Sequence, residues 1–116
     1  MVRVKRVYEK AEAADGFRVL VDRLWPRGIK KDVAKVDLWM KDVAPSDALR
    51  KSFHHEAMRW PDFAKKYQDE LKKKRECIAE LKKLEKEHET ITLLFGAKDQ
   101  VHNQAVILAG KLKERG

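Results

Sequence analysis

Apolar positions along this chain change their period several times, and each change marks an element. Val2 and Val4 fall on one face of a first strand over Val2 to Tyr8. Glu9 to Gly16 then reads as a connector rich in alanine and acid, with room for a short helical turn. Phe17 to Asp22 is apolar on both faces through its interior, the pattern of a strand covered on both sides. Pro26 and Gly28 end that segment. Residues 29–36 form a basic loop. Asp37 to Val43 predicts a short helix stopped before Pro45, and Ser46 to Phe53 another with Ser46 as its N-cap. Pro61 suits the first turn of a long helix from about Asp62 to Glu87. Phe63, Tyr67, Leu71, Ile78, Leu81 and Leu84 give that helix one apolar stripe. Thr90 to Phe95 predicts the last strand, and Asn103 to about Arg115 the last helix.

The order is strand, strand, several helices, strand, helix. A long helical crossover between Asp22 and Thr90 favours parallel pairing of the strands it joins. The fold class is therefore α/β, a short, mostly parallel sheet of about three strands flanked by helices. A length of 116 residues suits one domain over residues 1–116, and a hydrophobic content of 43% suffices for a core.

Composition narrows the classes. No apolar run approaches the ~18 residues that span a bilayer, so no membrane role is expected. The amino-terminal residues carry no continuous apolar segment of the secretory kind. Cys77 is the only cysteine, so no intrachain disulfide is possible and a cytoplasmic location is expected. The formal charge is +8, and residues 1–35 alone carry ten Lys/Arg against five Asp/Glu. Such an excess attracts anions, including nucleic acid, and it also serves plain solubility.

Candidate chemistry gathers where strands end. In open α/β sheets ligands bind outside the carboxyl ends of the strands. Val19-Leu20-Val21 runs directly into Asp22, Arg23, Trp25, Pro26 and Arg27. Guanidinium groups fork onto phosphate or carboxylate oxygens, so Arg23 and Arg27 are candidate anion ligands. An ion pair from Asp22 to a neighbouring arginine explains the same residues equally well. Trp25 either stacks on a ligand ring or packs inside. Gly96 to Asn103 follows the last strand, with Lys98, Asp99, His102 and Asn103. Asn103 fits an N-cap, and a capped helix start can also receive an anion. His54 or His55 could move a proton near neutral pH. The four histidines show no metal-ligand spacing, so no metal site is expected. Cys77 reads as a core or boundary residue, and no glycine-rich dinucleotide or P-loop motif specifies a cofactor.

Several stretches together resemble one family. Arg18 to Gly28, Ala44-Pro-Ser46, Leu49 to His54, Arg59-Trp60, Phe63 to Leu71, and Thr92 to Asp99 with Asn103 resemble the DUF488 family in its short YeaO-like branch. The resemblance covers nearly the whole chain in order. It implies a small cytosolic domain with a Rossmann-like, three-layer parallel sheet, and it supplies no established reaction. The pattern matches carried over are Asp22, Arg23, Trp25, Pro26, Arg27, Lys41, Ser46, Arg50, His54 and Asn103. The YeaO-like pattern has a histidine where this chain has Gln104. If that histidine is catalytic in relatives, this chain is impaired or works differently.

The reading that follows is an anion-binding pocket at the carboxyl edge of the sheet. Arg23, Trp25, Arg27, Lys41, Ser46, Arg50, Lys98 and Asn103 are its candidate ligand-binding residues. Asp22, expected to orient an arginine, and His54, a proton carrier, are its candidate catalytic residues. The ligand would be a phosphate-bearing small molecule, a nucleotide or a nucleic-acid end. Two rivals stand beside it. A nucleic-acid-binding module predicts a basic surface extended over Lys30, Lys31, Lys35 and Lys72 to Arg75. A non-catalytic interaction protein predicts that the charges near Asp22 only pair internally.

Overall fold

In the computed structural model, which describes residues 1–54 and 59–114, four parallel strands form one sheet in the order β1-β4-β2-β3. The strands are β1 (Val2–Arg6), β2 (Phe17–Leu20), β3 (Leu38–Trp39) and β4 (Ile91–Phe95). β4 lies in the middle, with Val2 opposite Ile91 on one side and Phe17 opposite Ile91 on the other. Every residue of β4 is buried. That burial is why its sequence is an unbroken apolar run with a single threonine, and Thr92 Oγ1 donates to the Asp15 carbonyl.

The two faces of the sheet are built differently. Val2, Val19, Ile91, Leu93 and Phe95 pack beneath the helices on one face. Those helices are α2 (Asp47–His54), α3 (Trp60–Leu71), α4 (Arg75–His88) and α5 (Gln104–Lys113). Truncating a core residue such as Leu93 to alanine should cost about 2–5 kcal/mol. The other face has a thinner layer, the short helix α1 (Lys31–Ala34) and a 3-10 turn at Ala13–Asp15. Toward the carboxyl ends this face is apolar, with Val7, Leu20 and Leu94 under Trp25 and Trp39. Toward the amino ends it holds buried charge. The Asp15 carboxylate has no exposed surface and accepts from Lys5 Nζ at 3.2 Å and Arg18 Nη1 at 2.5 Å.

The architecture is α/β, and a parallel sheet flanked by helices is compatible with the Rossmann-like, three-layer fold that the resemblance implies. Three elements differ from the sequence reading. Residues 29–36 are not all loop, because Lys31–Ala34 form the short helix α1. Asp37 to Val43 is not a helix. Leu38–Trp39 is a fourth strand on the edge of β2, followed by a 3-10 turn at Lys41–Val43. Two residues are too few to show a strand period, and the pairing is set by β2, whose Arg18 and Leu20 carbonyls accept from Asp37 and Met40. The long helix is two helices. Lys73 and Lys74 donate to carbonyls three residues back, closing α3 as a tight turn, and α4 begins at Arg75. The break redirects the chain: α3 packs on α2 and α5, whereas α4 lies over β2 and β4.

Candidate functional site

Three strand ends and one helical segment surround a cleft of about 750 Å³ at the carboxyl edge of the sheet. Arg6 and Tyr8 come from the end of β1, residues 22–27 follow β2, and residues 96–104 follow β4. Pro45, Arg50 and Phe53 close the remaining side. The volume lies in the range of small-molecule sites.

Asp22 joins the two halves. Its Oδ2 accepts from the Gly96 amide at 2.9 Å, and its Oδ1 accepts from Gln104 Nε2 at 2.5 Å. Burial pushes its carboxyl up to about 6, and the Gly96 and Gln104 donors offset only part of that. Among the described residues it has no cation partner. The expectation that Asp22 orients an arginine is therefore corrected. Arg23 turns away, donating through Nε to the Pro45 carbonyl at 3.0 Å and through Nη2 to the Ala44 carbonyl at 3.4 Å. Both groups still line the cleft. Gly96 is required for this meeting, because a Cβ there would lie 2.9 Å from Asp22 Oδ2.

Trp25 is half-buried, donates Nε1 to the Ile29 carbonyl at 2.8 Å, and meets Trp39 edge-on with ring centres 5.5 Å apart. It shapes one wall of the cleft. Arg27 and Lys98 are exposed cations on the lining, and neither side chain has a hydrogen-bond or ion-pair partner among the described residues. The Tyr8 hydroxyl holds the Arg27 backbone by donating to its carbonyl at 2.6 Å. Arg50 donates Nη2 to Asp47 at 2.7 Å, while its buried Nε has no partner. Arg6 braces the opposite loop through the Ala97 and Gly96 carbonyls.

Asn103 is an N-cap whose side-chain oxygen and nitrogen are both engaged. Its Oδ1 accepts from the Val106 amide at 3.1 Å and its Nδ2 donates to the Asp99 carbonyl at 2.9 Å. Asp99 in turn receives the Val101 and His102 amides and pairs with His102 Nδ1 at 2.9 Å. Those amide donors hold its carboxyl down at about 2. His102 reaches the cleft wall and meets Trp60, ring centres 4.9 Å apart.

Two candidates do not belong to the cleft lining. Lys41 sits over the Trp39 ring at 4.0 Å, beside a separate surface depression. Ser46 does cap α2, since its Oγ accepts from the Leu49 amide at 3.2 Å, but it is already engaged. Glu70 takes the Ser46 amide on Oε1 at 2.8 Å and the Ser46 hydroxyl on Oε2 at 2.6 Å. The start of α2 thus holds an anion of the chain itself, which no sequence signal announced. The His54 side chain and all of His55 lie outside the described residues. Among the described residues no group of three or more His, Cys, Asp or Glu side chains could hold a metal ion, and no helix is long and apolar enough to cross a membrane.

A parallel sheet with this cleft at its carboxyl edge fits the family seen in the sequence, and comparison with known proteins agrees. The family model described as "Inactive DUF488-N3 subclade" matches residues 1–115, and the chain belongs to that family. It is 43% identical to "Uncharacterized protein YeaO" of Escherichia coli K12 over 97% of this chain and 96% of that one. It is 45% identical to "Uncharacterized protein Rv3073c" of Mycobacterium tuberculosis H37Rv, over 98% of this chain and 95% of that one. No solved structure matches the chain.

Proposed function

We propose that this chain is a non-catalytic binding protein whose cleft holds a small, phosphate-bearing molecule with an aromatic group. The carrying observation is the pair of unpartnered cations, Arg27 and Lys98, on a lining that also presents Trp25 and Phe53. Arg6, Arg23 and Arg50 add positive charge, and Asp22 is the one carboxylate among the described lining residues. Arginine forks match phosphate oxygens, and aromatic walls accept a flat ring.

Two features support binding without turnover. The hydrogen-bond partners of Asp22 are a backbone amide and a glutamine amide, so no titratable side chain bonded to it can relay a proton to or from its carboxyl. The family description also reads "inactive".

The test is thermal unfolding with inorganic phosphate and with nucleoside monophosphates. A ligand at about a hundred times its dissociation constant should stabilise the fold by roughly 2.7 kcal/mol. Replacing Arg27 and Lys98 together with glutamine should abolish that gain while leaving the unliganded midpoint nearly unchanged. If no anion protects the wild type, the reading is wrong. An interaction protein is then favoured, on the strength of Leu24, 60% exposed at the cleft.

A further inference from the structure

A second cation-lined cavity adjoins the cleft. It has a volume of about 540 Å³ and is lined by Arg23, by Lys72 to Arg75, and by Asp42, Glu76 and Cys77. Five cations face two carboxylates there. Arg23 lines both cavities and is the residue they share. Not every cation in the second cavity is available. Lys74 Nζ donates to the Ala44 carbonyl at 2.8 Å, and burial pulls its ammonium below the ordinary lysine range. Lys72 meets Asp69 at 3.4 Å in an exposed pair, which water and salt weaken. Lys73 and Arg75 are exposed and have no side-chain partner among the described residues.

We infer that the ligand is an end of single-stranded nucleic acid, its terminal phosphate and base in the cleft and its next phosphates along Lys72, Lys73 and Arg75. This rests on the cleft reading above and extends it. A lone nucleotide needs only the cleft. A second cavity with excess positive charge, joined to the first by a shared arginine, fits a ligand that repeats its phosphates. The aromatic wall suits unpaired bases, which offer a face for stacking that a duplex hides. Arg23 is the hinge of the path, because both cavities close against it.

The experiment compares thymidine and uridine monophosphates with 5′-phosphorylated oligothymidylates and oligouridylates up to about eight residues, within the range of single-strand sites. Affinity should rise with length. K72A/K73A/R75A should cancel that rise and make the salt dependence shallower by roughly 2 in log–log slope, at about 0.7 per phosphate. The same variant should leave monophosphate binding and the circular dichroism spectrum unchanged. Monophosphate binding with no gain for longer strands overturns this inference and spares the cleft reading. A length gain that survives the triple variant also overturns it. Failure of every nucleotide to bind overturns the cleft reading itself. Comparison of the two series shows whether DNA or RNA is preferred.

Discussion

Gln104 Nε2 donates to Asp22 Oδ1 at 2.5 Å, joining residues 82 positions apart at the floor of the cleft. A glutamine amide can hold a carboxylate but cannot exchange a proton with it. The pair therefore fixes the cleft's shape, tying the segment after β2 to the start of α5.

Burying Asp22 has a thermodynamic consequence with a definite sign. Its carboxyl is raised from 3.8 to about 6 on folding, so the folded state holds the proton more tightly. This stabilising contribution is complete below about pH 4 and is lost as pH rises through 6. The difference is roughly 3 kcal/mol, at about 1.4 kcal/mol per unit. Asp22→Asn removes the titration, and its oxygen can still accept from Gly96 while the Gln104 amide rotates to offer its own oxygen. Urea unfolding at several pH values should show wild type losing stability relative to the variant between pH 4 and 7. A constant difference across that window would mean that Asp22 does not titrate there.

Asp15 is the second buried carboxylate and has the opposite sign. Burial pushes its carboxyl up, but the Glu12 amide, Lys5 and Arg18 outweigh that and hold it below 3.8. Its stabilisation is present above about pH 4 and is lost as pH falls further. Asp15→Asn leaves Lys5 and Arg18, both nearly buried, with too little negative charge. The expected cost is about 3–5 kcal/mol at neutral pH. A cost under 1 kcal/mol in denaturant unfolding would show that the cations find other partners.

The contrast between these two acids shows what a sequence can disclose. Val19-Leu20-Val21 and Ile91 to Phe95 are legible as strands because burial on both faces leaves an apolar run. The cleft is legible because Asp22 to Arg27 and Gly96 to Asn103 follow those runs. The partners of Asp22 are not legible, since an acid beside two arginines reads as an ion pair until the structure shows Arg23 on the Pro45 and Ala44 carbonyls and Arg27 unpaired among the described residues. The break at Lys72 to Lys74 is hidden for a related reason. No glycine or proline marks it, and the apolar stripe keeps helical spacing from Leu71 to Ile78 while the chain changes direction. Ser46 is not legible because its partner Glu70 lies 24 residues away, and Lys41 is not because the strand at Leu38–Trp39 sets it over the Trp39 ring.

Glu70 should prove a structural anchor for α2. Glu70→Ala leaves the Ser46 amide without its acceptor and should cost about 1–3 kcal/mol. Glu70→Gln keeps one acceptor oxygen and should cost less. Ligand affinity in the cleft should be unchanged in the glutamine variant, because Ser46 and Glu70 do not line it. A loss of phosphate binding with little loss of stability would reverse that assignment.

Gly96 offers the sharpest test of the cleft floor. A Cβ there would stand 2.9 Å from Asp22 Oδ2 and 3.4 Å from Pro26 Cβ. The carboxylate cannot easily yield, because Gln104 holds its other oxygen. Gly96→Ala should therefore break the amide bond to Asp22 and cost about 1–3 kcal/mol. With one donor gone, the carboxyl should titrate above 6, extending the pH-dependent loss of stability upward. In an Asp22→Ala background the obstructing oxygen is absent, so the same substitution should cost much less. A coupling of about 0.5–3 kcal/mol between the two positions is the expected result of the double-mutant cycle. Additive costs would show that Gly96 is required for its backbone alone, and that the contact with Asp22 does not shape the cleft.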